Sequence, residues 1–288
     1  MTERQQQEPT PEQVAELDAA REEANRVNDD PTRRRMFELV LGLPAWKLLT
    51  DPESATKAIA SGGIPTLLTL RSEKARLVPI FSTSQRASAA AAKWGVVSRG
   101  EGATCLLTMD VRGAVGFVSS LDESVEYFMI DLVPDELDGF GLSIDALPSQ
   151  YDHHVGTPPI ACLDRMARLA NRLGQPPYYL SAYRVIATLG AVYLPRMKSG
   201  APALMPHEDK LICPMFTDER RAASFAESQP DLEMFACPPA DLPTLGEQLA
   251  GVAGDKFIGM IANPTGDPLF VRLDWFAQAL GGDAGGAS

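Results

Sequence analysis

Apolar residues along this chain fall in short strand-length runs separated by segments with helical spacing. The clearest run is Leu77-Val78-Pro79-Ile80-Phe81. Ser82 follows it and Gln85 comes three residues later, which is the pattern of a capped helix start. The same pattern returns at Ile212-Cys213-Pro214-Met215-Phe216, where Thr217 stands at the cap position and Asp218 and Glu219 bring negative charge to the helix N-terminus. Each stretch predicts a strand running into a helix. Proline has no N–H to give a ladder, so Pro79 and Pro214 predict an edge strand or a bulge at the same place in both copies.

The two stretches lie 135 positions apart, and more of the chain follows the same order. Ala114-Val115-Gly116-Phe117-Val118 matches Phe257-Ile258-Gly259-Met260-Ile261, and Tyr127 to Asp131 matches Phe270 to Asp274. On this pairing Ala114–Ser119 and Glu126–Leu132 are strands that close the first unit. The second unit ends in a hairpin turned by Asn263-Pro264-Thr265-Gly266-Asp267. An apolar-Pro-apolar-Phe-Ser/Thr joint, a polar helix start and a late glycine-bearing hairpin resemble the SseB family, named for enhanced serine sensitivity in bacteria. Its strand-to-helix joint corresponds here to Pro79-Ile80-Phe81-Ser82 and Pro214-Met215-Phe216-Thr217. The resemblance covers about 36–132 and, more loosely, 157–276. Ser84 and Gln85 depart from the acidic helix start seen at Asp218-Glu219. The resemblance implies an α/β domain without assigned catalytic residues.

The expected architecture is α+β, or α/β, with two similar mixed-sheet units. Each unit carries a strand-helix joint and a C-terminal β-hairpin. The expected boundaries are a polar extension at 1–30, a first unit at 31–132, a linker at 133–157, a second unit at 158–280 and a flexible tail at 281–288. A helix with a thin apolar stripe is predicted at 11–28, and a better one starts at Asp29-Asp30-Pro31 and ends at Gly42. Ala45–Leu49 reads as a strand. Gly62-Gly63 breaks the chain before a strand at Ile64–Leu70, which turns through Arg71-Ser72-Glu73-Lys74 into the Leu77 strand. A helix at Ala87–Trp94 is followed by a short strand near Val96-Val97. In the second unit a helix is expected at Pro158–Leu173, strands near Ala201–Met205 and at Leu232–Ala236, and a helix near Pro239–Ala250. Residues Tyr178–Leu194 are apolar without a deciding period.

Composition narrows the function classes. The chain has 288 residues, of which 45% are hydrophobic, enough for one large core or two modest ones. A net charge of −12 opposes binding to a phosphate backbone or an anionic bilayer. No nucleic acid and no membrane are expected as partners, and no apolar run reaches bilayer length. Cys105, Cys162, Cys213 and Cys237 are widely spaced and form no C-x-x-C pair, so reduced thiols in a cytoplasmic protein are expected.

The candidate chemistry is sparse. Asp152-His153-His154 has metal-ligating atoms, but adjacent histidines rarely converge on one ion, and the polar-loop reading is preferred. Cys213 is a candidate nucleophile with His207 as base across a hairpin turn. Val78 at the matching position in the first copy reads Cys213 more simply as a small core residue. Asp131 and Asp274, at matching strand ends, are a candidate carboxylate pair or charges that blunt a sheet edge. The glycine-bearing loops fit no phosphate-binding pattern, and no cofactor is implied. The expected function is a non-catalytic protein-interaction or adaptor protein of the SseB type, with a protein partner. The alternatives are a thiol-dependent hydrolase or transferase and a secretion-associated chaperone or adaptor using helix 11–28.

Overall fold

The computed structural model describes residues 8–61, 65–71, 75–96, 105–132 and 141–281. The fold is α+β with mixed sheets. Residues up to Cys162 form one compact unit and those from Leu163 onward a second.

The first unit opens with helices α1 (Pro11–Val27) and α2 (Asp30–Leu41). It continues through β1 (Ala45–Leu49), α3 (Pro52–Ser61), β2 (Leu70–Arg71), β3 (Arg76–Phe81), α4 (Ser84–Lys93), β4 (Leu106–Asp110), α5 (Val111–Ser119), β5 (Val125–Ile130), β6 (Leu142–Ser143) and α6 (Leu147–His154). The sheet order is β4-β1-β3-β5-β6, with β2 beside β3. Among the described strands of this unit only β3 and β5 run parallel. Trp46 of β1 stacks on Phe128 of β5 at 5.6 Å and donates its indole N–H to Val40 O at 2.9 Å, which satisfies the one polar atom of a fully buried side chain.

The second unit has a similar strand order. It has α7 (Leu163–Leu173), α8 (Pro176–Ala187), β7 (Val192–Met197), β8 (Met205–His207), β9 (Lys210–Met215), α9 (Glu219–Glu227), β10 (Leu232–Cys237), α10 (Leu242–Ala253), β11 (Phe257–Ala262), β12 (Leu269–Val271) and α11 (Leu273–Leu280). Strands pair as β10-β7 and β12-β11-β9-β8, and the bridge Tyr193↔Phe216 joins the two sets. The parallel pair is β9 with β11, the counterpart of β3 with β5. The register Lys47↔Phe81 in the first unit matches Tyr193↔Phe216 in the second.

The hydrogen-bond ladders correct the downstream pairing of the copies. Ala114–Ser119 lies in helix α5, not a strand. The buried Val111, Ala114, Val115 and Val118 recur at i, i+3, i+4 and i+7, a helical stripe that is cut short when the run is read from Ala114 alone. Asp110 starts the helix by accepting the Gly113 N–H at 2.6 Å. The counterpart of β11 is therefore β5, and that of β12 is β6. Asn263, not Asp274, stands where Asp131 stands: each donates its backbone N–H to the residue before the joint phenylalanine, Ile80 or Met215.

The prolines are also placed differently from expectation. β3 is an interior strand, flanked by β5 on one side and by β2 and β1 on the other. β2 pairs with Arg76 and Leu77, and β1 with Ile80 and Phe81. Pro79 falls in the gap where one neighbour gives way to the next, so its missing N–H costs no ladder bond. Pro214 sits in the same gap between β8, which pairs through Ile212, and the bridge at Phe216. The helix caps are one residue further on than expected. Thr83 accepts from Arg86 N at 3.2 Å and Asp218 from Arg221 N at 2.9 Å, because Ser82 and Thr217 face the sheet instead.

The boundaries shift too. Helix α1 buries Leu17 and Ala24 and packs on α2, so the 11–27 segment is part of the first unit rather than an extension. β6 and α6, within the stretch expected as linker, pair with β5 and pack on α2 and α5. Tyr178–Leu194 divides into the rest of α8 and the start of β7. The expected turn at 72–74, the break at 62–64, the strand reaching Val97 and the tail beyond Gly281 lie outside the described residues.

Candidate functional site

The polar groups that the fold concentrates lie at the two strand-to-helix joints. In the first unit β5 ends at Ile130, and Asp131 takes a left-handed backbone, φ 50°. That turn points its carboxylate back across β3. Asp131 Oδ1 accepts the Ser82 N–H at 2.8 Å, and Oδ2 accepts the Ser82 hydroxyl at 2.7 Å and Arg86 Nη1 at 2.6 Å. Arg86 also donates to both oxygens of Asp18 on α1, at 2.8 and 2.6 Å. This bidentate bond, followed by the Asp131 charge, raises the guanidinium pKa further above its ordinary value. Arg21 donates to Asp131 O at 2.5 Å. Beside this cluster the wholly shielded Lys47 places its ammonium 3.6 Å from Glu8. Burial lowers the Lys47 pKa, and Glu8 opposes that shift.

The second joint uses the same geometry with less charge. Asn263 has φ 49°, and its Oδ1 accepts the Thr217 N–H at 3.1 Å. Its amide donates to Thr217 Oγ1 at 2.9 Å. Arg221, which matches Arg86, forks onto Asp164 of α7 at 2.9 and 2.5 Å. Phe81 and Phe216 are both buried at the joints, as the repeated pattern predicts.

These bonds define the chemistry available. Ser82 is fully buried and donates to a carboxylate that already accepts an arginine, so it is held as a structural donor. A general base needs a free lone pair directed at substrate, and the oxygens of Asp131 are turned to the joint. Asp274 lies in the first turn of α11, paired with Arg272 at 2.7 Å. That hydrogen bond holds its carboxyl below the usual range. It is not the structural counterpart of Asp131, so the expected carboxylate pair at equivalent positions does not form.

The structure does not bring Cys213 and His207 together. His207 is exposed and pairs with Lys210, three residues before Cys213 on β9, which is roughly 10 Å along a strand. The buried Cys213 donates its thiol to Pro214 O at 3.6 Å. Burial, with a smaller contribution from Cys237, pushes the thiol up to about 12, the direction opposite to activation. His153 and His154 occupy the last turn of α6 rather than a loop, with ring centroids 4.7 Å apart. Burial and then the neighbouring His153 lower the pKa of His154. Among the described residues no group of three or more His, Cys, Asp or Glu side chains is placed to hold a metal ion.

Sequence reasoning missed Arg86 and Arg221 as the members of the joints that reach another helix. The signal was present: both lie in the repeated stretch at the same 135-residue spacing. Asp18 and Asp164 carried no such signal, because only folding brings α1 and α7 to those arginines.

The second unit also holds an open cleft of about 840 Å³ between α10 and α11. Its apolar floor includes Phe257, Ile258 and Phe270, and its walls carry Glu247, Asp274 and Arg272.

No family model matches this chain, and no curated protein matches it. Among solved structures, Anabaena Tic22 (protein transport) aligns over 79% of this chain and 92% of its own, with 9% sequence identity and a TM-score of 0.20. A likeness at that score carries no argument about this chain. Among the described residues no helix is long and apolar enough to cross a membrane.

Proposed function

We propose that this protein is a non-catalytic interaction or adaptor protein built from two units of the SseB type, acting on a protein partner. The observation that carries this reading is the state of its polar clusters. At the first joint the Ser82 hydroxyl and the Arg86 guanidinium bond the Asp131 carboxylate, and at the second the Thr217 hydroxyl and the Asn263 amide bond each other while Arg221 bonds Asp164. Catalysis asks for a nucleophile, a base and an oxyanion donor converging on an accessible point. The joints instead converge on backbone N–H groups and helix starts. The four cysteines are widely spaced and form no C-x-x-C pair, the usage of a chain that keeps reduced thiols in the cytoplasm. The net charge of −12 favours protein partners over nucleic acid or anionic lipid.

Affinity capture with the full chain after mild cross-linking, run beside a hydrolase and transferase screen, tests this reading. The expected result is a stoichiometric protein partner and no turnover. Turnover that Cys213→Val abolishes, with no partner recovered, would overturn it.

A further inference from the structure

Helix α1 is held to the first unit in a different way from α7 in the second. The two correspond, because Asp164 of α7 receives Arg221 as Asp18 of α1 receives Arg86. Within the 11 residues of α7 the apolar Leu163, Met166, Ala167 and Ala170 are buried. Within the 17 residues of α1 the buried side chains are Leu17 and Ala24. The rest of its attachment is polar. Glu16 pairs with Arg35 of α2, Asp18 pairs with Arg86 of α4, and Arg21 donates to Asp131 O. Glu8, just ahead of the helix, accepts the N–H and the hydroxyl of Ser84 at the start of α4 and lies 3.6 Å from the Lys47 ammonium. The side chains of Glu8, Glu16, Asp18 and Arg21 are 25% to 52% exposed, so dissolved ions reach these bonds and screen them.

We infer that Glu8 to Val27 is a strap held by charge over the first strand-to-helix joint, that it opens while the sheet beneath stays folded, and that ionic strength controls the opening. The inference goes beyond the interaction reading and does not depend on it. The helix completes its own ends. Thr10 and Gln13 close a capping box at its start, and the left-handed Asn28 donates its N–H to Ala24 O at 2.9 Å. Asp29 caps α2 separately by accepting the Thr32 N–H at 2.9 Å. The chain can therefore hinge between Asn28 and Asp29 without stripping the cap from either helix. Lifting the strap gives up two buried apolar side chains and a set of polar bonds that water and salt can replace. It uncovers the Lys47 ammonium, wholly shielded when the strap is closed, and the N–H and hydroxyl of Ser84. The joint beneath keeps its own bonds, because Arg86 and Ser82 remain on Asp131. The ladders of β3 with β1 and β5 include no residue of the strap. A lone helix of this length is only marginally formed in water, so an open strap exchanges its amides.

The test is hydrogen exchange of the full chain, resolved by peptide mass, in dilute buffer and in about 1 M sodium chloride, where the screening length is about 3 Å. Amides of α1 should exchange at least about ten-fold faster in the salt, while those of α7 and β3 change by less than about two-fold. Acetylation of Lys47 by an N-hydroxysuccinimide ester, read on the same peptides, should rise together with α1 exchange. Glu8→Gln and Asp18→Asn should each speed α1 exchange in dilute buffer and flatten its dependence on salt, with β3 protected as in the parent. Exchange of α1 that does not respond to salt would overturn the inference. Amides of α1 and β3 that speed up together would also overturn it, because the helix would then open only with the whole unit. Faster α1 exchange with Lys47 still unlabelled would do the same, because the helix would be fraying in place rather than lifting.

Discussion

The two joints solve one structural problem with different charge. Each must turn the chain out of a parallel strand and hold the start of the next helix. Both place a left-handed residue after the strand, at φ 50° and 49°, and use its side chain to bind the backbone N–H after a buried phenylalanine. Aspartate and asparagine tolerate that backbone better than most residues, because their short polar side chains bond locally. The first joint uses a carboxylate and must then neutralise it, which Arg86 does. The second uses an amide, and its arginine instead ties α9 to α7 through Asp164 and pairs with the cap residue Asp218. The shared part specifies the turn, and the charge network is an addition in one copy. A second exchange supports this view. Tyr127 packs over Gly141 between β5 and the start of β6, while in the second unit Phe270 of β12 packs over Gly259 of β11, φ +143°. The aromatic and the glycine have traded strands, and the ring covers the bare backbone in either arrangement.

The largest expected effect is common to both units. Phe81→Ala and Phe216→Ala should each cost about 3–5 kcal/mol in urea unfolding, through lost transfer energy and the cavity left behind. A loss in only one unit would break the equivalence. The next effect separates the joints. Glycine keeps the left-handed backbone while deleting the side chain. Asp131→Gly removes charge-assisted bonds and should cost about 2–3 kcal/mol, and Asn263→Gly, which removes neutral bonds, about 1–2 kcal/mol. Equal losses would show that the charge adds nothing. Below these, Thr83→Ala and Asp218→Ala should each cost about 1 kcal/mol as lost helix caps.

The smallest effect at neutral pH concerns Cys213, whose counterpart is Val78. Both positions are buried, and Cys213→Val should change stability at pH 7 by less than about 1.5 kcal/mol. Its signature is alkaline. The folded thiol titrates near 12, whereas an unfolded cysteine titrates at about 8.5. Between those values the unfolded chain loses the proton first and holds fewer protons, so this group's contribution falls as pH rises, by at most about 1.4 kcal/mol per unit. The valine variant should lose less stability than the parent between about pH 9 and 11, the lower part of that window. Parallel curves would show that the thiol is not buried as described.

The strand-to-helix joints were legible because they are local: an apolar run, a small hydroxyl residue and a polar helix start lie within one short stretch. Leu77–Phe81 and Ile212–Phe216 form strands leading to helices as read, and the phenylalanines are buried. The cap was misplaced by one residue because its choice depends on Asp131 and Asn263, which arrive from another strand and take up Ser82 and Thr217. Ala114–Ser119 misled for a different reason: the helical spacing begins at Val111, and the shorter run read from Ala114 shows only a block of apolar residues. Pro79 and Pro214 read as edge markers because sequence does not show that an interior strand changes neighbours midway. The Arg86–Asp18 and Arg221–Asp164 bonds were half visible, in the repeated arginines, and half hidden in helices that no local pattern connects to them.

The central claim is that the joint residues act as bonded structural pairs at equivalent places in both units. Two double-mutant cycles by urea unfolding test it most directly: Ser82→Ala with Asp131→Gly, and Thr217→Ala with Asn263→Gly. Pairs in direct contact are expected to couple by at least about 0.5 kcal/mol in both cycles, with the larger value in the first unit, where the bond is charge-assisted. Additivity within about 0.3 kcal/mol in either cycle would contradict the account.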